Sequence, residues 1–209
     1  MKVKAGFFDQ LSERWDAICC HDKMKLRYLL SRVSIQSGDS VLDVGTGTGV
    51  LIPYIRELNH EGNIRAIDMS PGMIAVASRK YGDDSHLSFQ VADAESDDIP
   101  GRYHQILLYS VFPHLEFREE TVSRLVSHNL KPDGVLLIAH SQSRQELNRM
   151  HRMRDDRVSE DMLTDVQTQK RKLEQVGLRV LEAVENSDFY YLIITSKHYC
   201  PLKMDKVKN

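Results

Sequence analysis

Residues 41–51 read VLDVGTGTGVL. An apolar run closes at Val44, glycines follow at positions 45, 47 and 49, and apolar residues with helical spacing continue to Leu58. A buried strand that turns through glycines into a helix is the opening unit of a parallel sheet, because parallel strands need a crossover element between them. Glycine lets such a turn be tight and lets main-chain N–H groups approach a ligand. The helix N-terminus behind it adds a partial positive charge.

The alternation continues along the chain. IRAIDM (64–69) reads as the next strand, and SPGMIAVASRKYG (70–82) as a helix that starts at Ser70–Pro71 and stops at Gly82. LSFQVAD (87–93) and HQILLYSV (104–111) are strands, EETVSRLVSHNL (119–130) is a helix, and KPDG (131–134) is a turn before the strand VLLIAH. SEDMLTDVQTQKRKLEQVG (159–177) predicts one long helix, capped by Ser159 and ended by Gly177. LRVLEAVEN (178–186) and FYYLIITSK (189–197) are the last strands. The two residues between them cannot form a crossover, so this pair is antiparallel. The fold class is α/β, a doubly wound and mostly parallel sheet covered on both faces. The first 35 or so residues precede it as one or two helices.

Composition narrows the function classes. A chain of 209 residues with 41% hydrophobic and 28% charged residues suits a single domain with an ordinary core. A net charge of -2 does not match a general nucleic-acid binder, for which a basic excess is expected. No run approaches the roughly 20 apolar residues that span a bilayer, and the N-terminus lacks a signal-peptide core. Cys19, Cys20 and Cys200 form no CxxC pair and read as reduced thiols. The expectation is a soluble, cytoplasmic protein with no membrane and no nucleic-acid partner; nothing in the sequence sets its oligomeric state.

The glycine turn can be read further. A dinucleotide fingerprint requires glycine or alanine at position 50, where Val50 stands. Asp43, two residues before Gly45, suits a cationic amino group and opposes a pyrophosphate, which favours an amino-acid nucleoside. Asp68, at the end of the next strand, is placed to accept from both ribose hydroxyls, and Asp93, at the end of the third, to receive an adenine amine.

Together, VLDVGTGTGVL, AIDMSPGMI, VADAESDDIP, ILLYSVFPHL and LKPDGVLLIAH resemble the successive motifs of class I S-adenosylmethionine-dependent methyltransferases, in that family's order. The resemblance covers about residues 40–197, and FFDQLSERWD near the N-terminus is similar to small-molecule members. It implies a seven-stranded Rossmann-like sheet with an antiparallel last strand, in one methyltransferase domain over 1–209. Helices over 1–36 would cover the cofactor, a core would fill 37–198, and a tail would run over 199–209. The implied cofactor is S-adenosyl-L-methionine, with S-adenosyl-L-homocysteine as product. By position, Asp43 and Gly45 fall to the methionyl part, with Thr46, Gly47 and Gly49 in the same loop. Asp68 falls to the ribose, Met69 flanks the adenine, Asp93 and Ala94 lie at its edge, and Tyr109 begins the loop under the methionine.

YSVFPHL departs from the [ND]PP[YF] pattern of adenine and glutamine amino methyltransferases, and resembles members that methylate small molecules. His114 is a candidate base or ligand because its neutral form is available near pH 7. His140 ends the fifth strand and is expected to face the crevice shared by Asp43 and Tyr109, as a second catalytic candidate. Ser143 with Glu146 forms a capping box, so a helix starts at 143. Arg144, Asn148 and His151 then share one of its faces. One reading gives that face to solvent. The other turns His114, His140, Arg144, Asn148 and His151 toward an acceptor. No metal is the expectation, although three histidines also leave the option of a coordination site with an open position. The reading is methyl transfer to a small molecule. Its alternatives are a catalytically silent nucleoside-binding domain acting through a partner, and a nicotinamide-dependent oxidoreductase.

Overall fold

The computed structural model describes residues 2–154, 156 and 158–196; the expectations for the tail over 199–209, Cys200 and Lys197 lie outside the described residues. Seven strands form one sheet: β1 (Val41–Val44), β2 (Ile64–Asp68), β3 (Leu87–Val91), β4 (Tyr103–Tyr109), β5 (Leu130–His140), β6 (Leu178–Glu185) and β7 (Tyr190–Ser196). Their order is β3-β2-β1-β4-β5-β7-β6, with β7 antiparallel to both its neighbours and the other pairs parallel. The hairpin inferred from the short 186–189 connection is therefore present.

Alternate residues of the central strands feed two cores. Leu42, Val44, Ile106, Leu108, Leu136 and Ile138 pack on one face. Val41, Leu107, Tyr109, Leu137 and Ala139 pack on the other. Full burial of each large aliphatic side chain contributes roughly 1.5–3 kcal/mol, which is why these strands read as unbroken apolar runs. The layers over the sheet are α4 (Ile52–Leu58), α5 (Pro71–Tyr81), α6 (Arg118–Arg124), α7 (Arg144–Arg154) and α8 (Val166–Gln175). Before them come α1 (Lys2–Leu11), a 3₁₀ turn over Ser12–Arg14, α2 (Trp15–Ile18) and α3 (Lys23–Ser31).

The α5 boundaries match the sequence signals, since Ser70 Oγ accepts from the Met73 N–H at 3.1 Å and Gly82 follows the last turn. Four local expectations are corrected. The helix after the glycines begins at Ile52, because left-handed backbone at Gly49 (φ +86°) keeps the chain turning. The helix from Arg118 gives way to a wider π turn over Leu125–Asn129. Lys131–Gly134 is an excursion within β5, where Leu130 pairs with Tyr103 and Val135 with Gln105. The long helix over 159–177 starts only at Val166, capped by Asp165, whose carboxylate accepts from the Thr168 N–H at 2.9 Å. Ser159 instead donates to the Asp156 carbonyl. Val158 and Leu163 are buried from an irregular segment, and burial there overrides helical periodicity.

Candidate functional site

The cavity lies at the C-terminal edge of the sheet, where parallel α/β folds place their ligands. The β1 loop, the ends of β2 and β4, the segments after β3 and β5, and the N-terminal helices contribute its walls. Gly45, Gly47 and Gly49 all have positive φ, at +69°, +57° and +86°. Their reasons differ. A Cβ on Gly45 would meet Val111 at 2.4–2.6 Å, and one on Gly49 would meet Ile52 and Tyr81 at 2.8 Å, so both serve close packing. Beside Gly47 the nearest atom is Trp15 Nε1 at 3.9 Å, which leaves this turn open to the cavity.

Asp68 lines the cavity and accepts from the Gly47 N–H through Oδ2 and from the Ser70 N–H through Oδ1, both at 2.9 Å. Burial raises its pKa, and the two N–H groups oppose that rise. Met69, Asp93 and Ala94 stand on the same wall, and the Asp93 side chain accepts from the Glu95 N–H. Thr46, Gly45 and Tyr109 also line the space. Asp43 does not. Its carboxylate sits beneath the loop, fully buried, and accepts from Thr46 Oγ1 at 2.6 Å, and burial pushes its pKa up to about 7. Gly49 likewise lies outside the lining.

The N-terminal helices close one side. Asp9 Oδ1 accepts from Ser70 Oγ at 2.5 Å and the Gly72 N–H at 2.8 Å, and Asp16 meets Thr48 Oγ1 and Lys80 Nζ. These contacts hold Phe8, Trp15, Ile18 and the Cys19–His21 segment over the cavity.

The polar stretch after β5 divides. His151 lines the cavity with Leu147 and Met150, and its ring lies 5.1 Å from that of His114, also a lining residue. His114 Nδ1 donates to Asp161 Oδ2 at 2.7 Å, and His151 Nδ1 donates to the Asp161 carbonyl. Asp161 thus orients both rings. It went unnoticed in the sequence because its loop reads as helix. Ser143 does cap α7, accepting from the Glu146 N–H at 3.2 Å.

Arg144, Asn148 and His140 are corrections of placement. Arg144 pairs with Glu185 at 2.8 Å, and Asn148 exchanges two 2.9 Å hydrogen bonds with the main chain of Leu163. His140 pairs with Tyr190 across the strands and, by the strand's period of two, shares the face of Ile138, opposite Tyr109 and Ala139. It is fully buried, and neither ring nitrogen has a hydrogen-bond partner among the described residues. Burial, aided by His114 and His151, lowers its pKa to about 3. Among the described residues no three His, Cys, Asp or Glu side chains come together as a metal site. No described helix is long and apolar enough to cross a membrane.

His21 is a cavity residue that no sequence signal marked. Its Nδ1 lies 2.8 Å from Tyr109 Oη, which lies 2.7 Å from Ser141 Oγ, and all three residues line the cavity.

A family model described as a methyltransferase domain matches residues 35–193. Over 137 residues the chain is 30% identical to a malonyl-(acyl-carrier protein) O-methyltransferase of Acetivibrio thermocellus, a match that covers 65% of this chain and 48% of that protein. It is 29% identical over 118 residues to (S)-coclaurine N-methyltransferase of Thalictrum flavum, covering 55% and 32%. The matches thus span about half or less of these curated relatives. The solved structure of a SAM-dependent methyltransferase from Aquifex aeolicus shares the fold, with a TM-score of 0.67 at 20% identity over 91% of this chain and 97% of that one. The chain belongs to the methyltransferase-domain family of class I S-adenosylmethionine-dependent enzymes.

Proposed function

We propose that this protein transfers a methyl group from S-adenosylmethionine to a small-molecule acceptor, within a single methyltransferase domain. The observation that carries the reading is one cavity in which the open turn at Gly47, the Asp68 carboxylate and a histidine wall meet. The residues present fit the cofactor. The Gly47 turn leaves room for close approach, the fixed Asp68 carboxylate has lone pairs left for a ribose diol, and Met69 and Ala94 offer apolar flanks with Asp93 at their edge. Asp43 acts from beneath, by holding Thr46 in place. When bound, S-adenosylmethionine supplies a methyl group already activated by its sulfonium.

The protein's own residues then have three tasks. Phe8 and Trp15 exclude water from the cavity. Leu147 and Met150 give the acceptor an apolar seat. His114 and His151, oriented by Asp161, bind and align it. Curated relatives named as O- and N-methyltransferases of small or carrier-bound substrates support a small acceptor.

Calorimetry tests the cofactor reading. S-adenosylhomocysteine is expected to bind with micromolar affinity, and Asp68→Ala to abolish this. Tight NADH binding with no response to S-adenosylhomocysteine would sink the reading. A screen of small acceptors with radiolabelled methyl donor then identifies the substrate.

A further inference from the structure

His21 occupies the short connection between α2 and α3, outside the motifs of the sheet, yet it reaches the end of β4. Its Nδ1 lies 2.8 Å from Tyr109 Oη, and Tyr109 Oη lies 2.7 Å from Ser141 Oγ. Only Nδ1 is engaged, so Nε2 takes no hydrogen bond from a described residue. The middle member of this chain has one proton for two neighbours, so the chain can run in either direction, and the base role belongs to the one in which Ser141 receives that proton. Burial pushes the Tyr109 phenol up to about 12, so it keeps its proton near neutral pH. With that proton given to Ser141, the Tyr109 lone pairs receive Nδ1–H of His21. The bond at one ring nitrogen fixes the tautomer, and Nε2 then carries the lone pair.

We propose that His21 is the residue that takes the acceptor's proton, with Tyr109 and Ser141 as the positioning residues that fix its tautomer. This rests on the methyltransferase reading and deepens it. As the acceptor atom gains the methyl carbon, the electron pair of the broken carbon–sulfur bond stays on sulfur. The acceptor's proton passes to His21 Nε2 and later leaves to solvent.

Several groups around the ring bear on this role. Burial holds the His21 pKa below the ordinary histidine value, which keeps the imidazole neutral and able to accept, while Asp16 opposes that shift and stabilises the charged form once it exists. The Tyr109 ring lies 5.4 Å from the imidazole, between ring centroids. Lys25 Nζ lies 3.5 Å from the Ser141 carbonyl. His114 stands on another wall, with Nδ1 committed to Asp161. The two imidazoles therefore have separate supports and can be separated by mutation.

The test uses ¹⁵N NMR of the full chain, with and without S-adenosylhomocysteine. The expected result is a protonated Nδ1 and an unprotonated Nε2 in neutral His21, with Tyr109→Phe moving the proton toward Nε2. A wild-type Nε2–H tautomer, or a His21 signal indifferent to Tyr109→Phe, overturns the proposal. With the acceptor from the screen, His21→Asn keeps a donor toward Tyr109 but lacks the base. It should lower kcat by about 10²–10⁴ with little change in KM, and a kcat within about twofold of wild type also overturns the assignment. Absence of S-adenosylhomocysteine binding by the wild type is a different failure, that of the methyltransferase reading, and leaves the tautomer result standing.

Discussion

Gly47 and Asp68 are joined across the top of the sheet by a 2.9 Å hydrogen bond from the glycine N–H to Oδ2. The other carboxylate oxygen accepts from the Ser70 N–H, at the start of α5. One side chain thus ties the first loop, the second strand and a helix cap together at the cavity wall. Asp68→Ala leaves both N–H groups without this acceptor; the buried Ser70 N–H costs about 1–3 kcal/mol as an orphan and the part-buried Gly47 N–H less. Urea unfolding should show a loss of that order, and calorimetry a loss of S-adenosylhomocysteine binding. Normal stability with normal binding would show that the carboxylate is dispensable.

The glycines should separate into two classes. Both Gly45 and Gly47 hold left-handed backbone, which costs an alanine about 1–2 kcal/mol. Gly45→Ala adds a collision with the Val111 side chain, so it should destabilise more and be partly relieved by Val111→Gly. Gly47→Ala meets no such wall. It should unfold within about 2 kcal/mol of wild type and lose ligand affinity instead. A double-mutant cycle in urea for the first pair, and calorimetry for the second, check the division. Equal loss of stability at both sites would contradict it.

The sheet was legible because each core strand is buried on both faces, which writes an unbroken apolar run into the sequence, as in ILLYSV. Asp68 was legible because it falls just where such a run ends, Asp93 because it closes an alternating strand, and Met69 and Ala94 through the family resemblance; all four line the cavity. Where the signal was local, as at Ser70, Ser143 and Gly177, the caps fell where expected. The rest depended on contacts made in three dimensions. Asn148 and Arg144 have the spacing of a ligand-facing stripe, but the 158–165 segment and Glu185 take up their polar groups. His140 sits at a strand end, but period two turns it away from Tyr109. His21 and Asp161 carry no motif, because their partners are 88 and 47 residues away.

Asp43 makes the protein sensitive to pH in a defined direction. Its carboxyl has a folded pKa of about 7 against an ordinary value of 3.8, so the folded state holds the proton more tightly. Between about pH 4 and 7 the unfolded chain has released that proton and the native one has not. Stability contributed by this group is therefore present in acid and lost as pH rises through that window, by at most about 1.4 kcal/mol per pH unit. Asp43→Asn removes the titration and can still accept from Thr46. Its stability relative to wild type, followed by urea unfolding, should rise from pH 4 to pH 7 in the ligand-free protein. A constant difference would mean that Asp43 titrates normally.

His140 has the opposite sign. Its folded pKa is depressed to about 3, so the unfolded chain takes up a proton below about 6.5 and the native state does not. Stability from the neutral ring is present above that value and lost as pH falls. Neither ring nitrogen is hydrogen-bonded within the described structure, and an apolar ring of similar shape avoids burying them. His140→Phe is therefore expected to match or exceed wild-type stability at pH 7, with the advantage growing toward pH 5. A variant less stable at both values would show that the imidazole has a partner such as a buried water.

Asp161 offers the sharpest test of the histidine wall, because it holds two rings by different atoms. Its carboxylate receives His114 Nδ1–H, while its main-chain carbonyl receives that of His151. Asp161→Ala deletes only the first of these acceptors. The low-field Nδ1–H proton resonance of His114 should vanish while that of His151 persists. Acceptor turnover should fall about 10- to 100-fold as the His114 ring loses its orientation. S-adenosylhomocysteine affinity should hold, since Asp161 lies outside the residues that line the cavity. Loss of both histidine resonances would mean that Asp161 supports the whole segment rather than one ring. Full turnover with a disordered His114 would remove that histidine from the acceptor site.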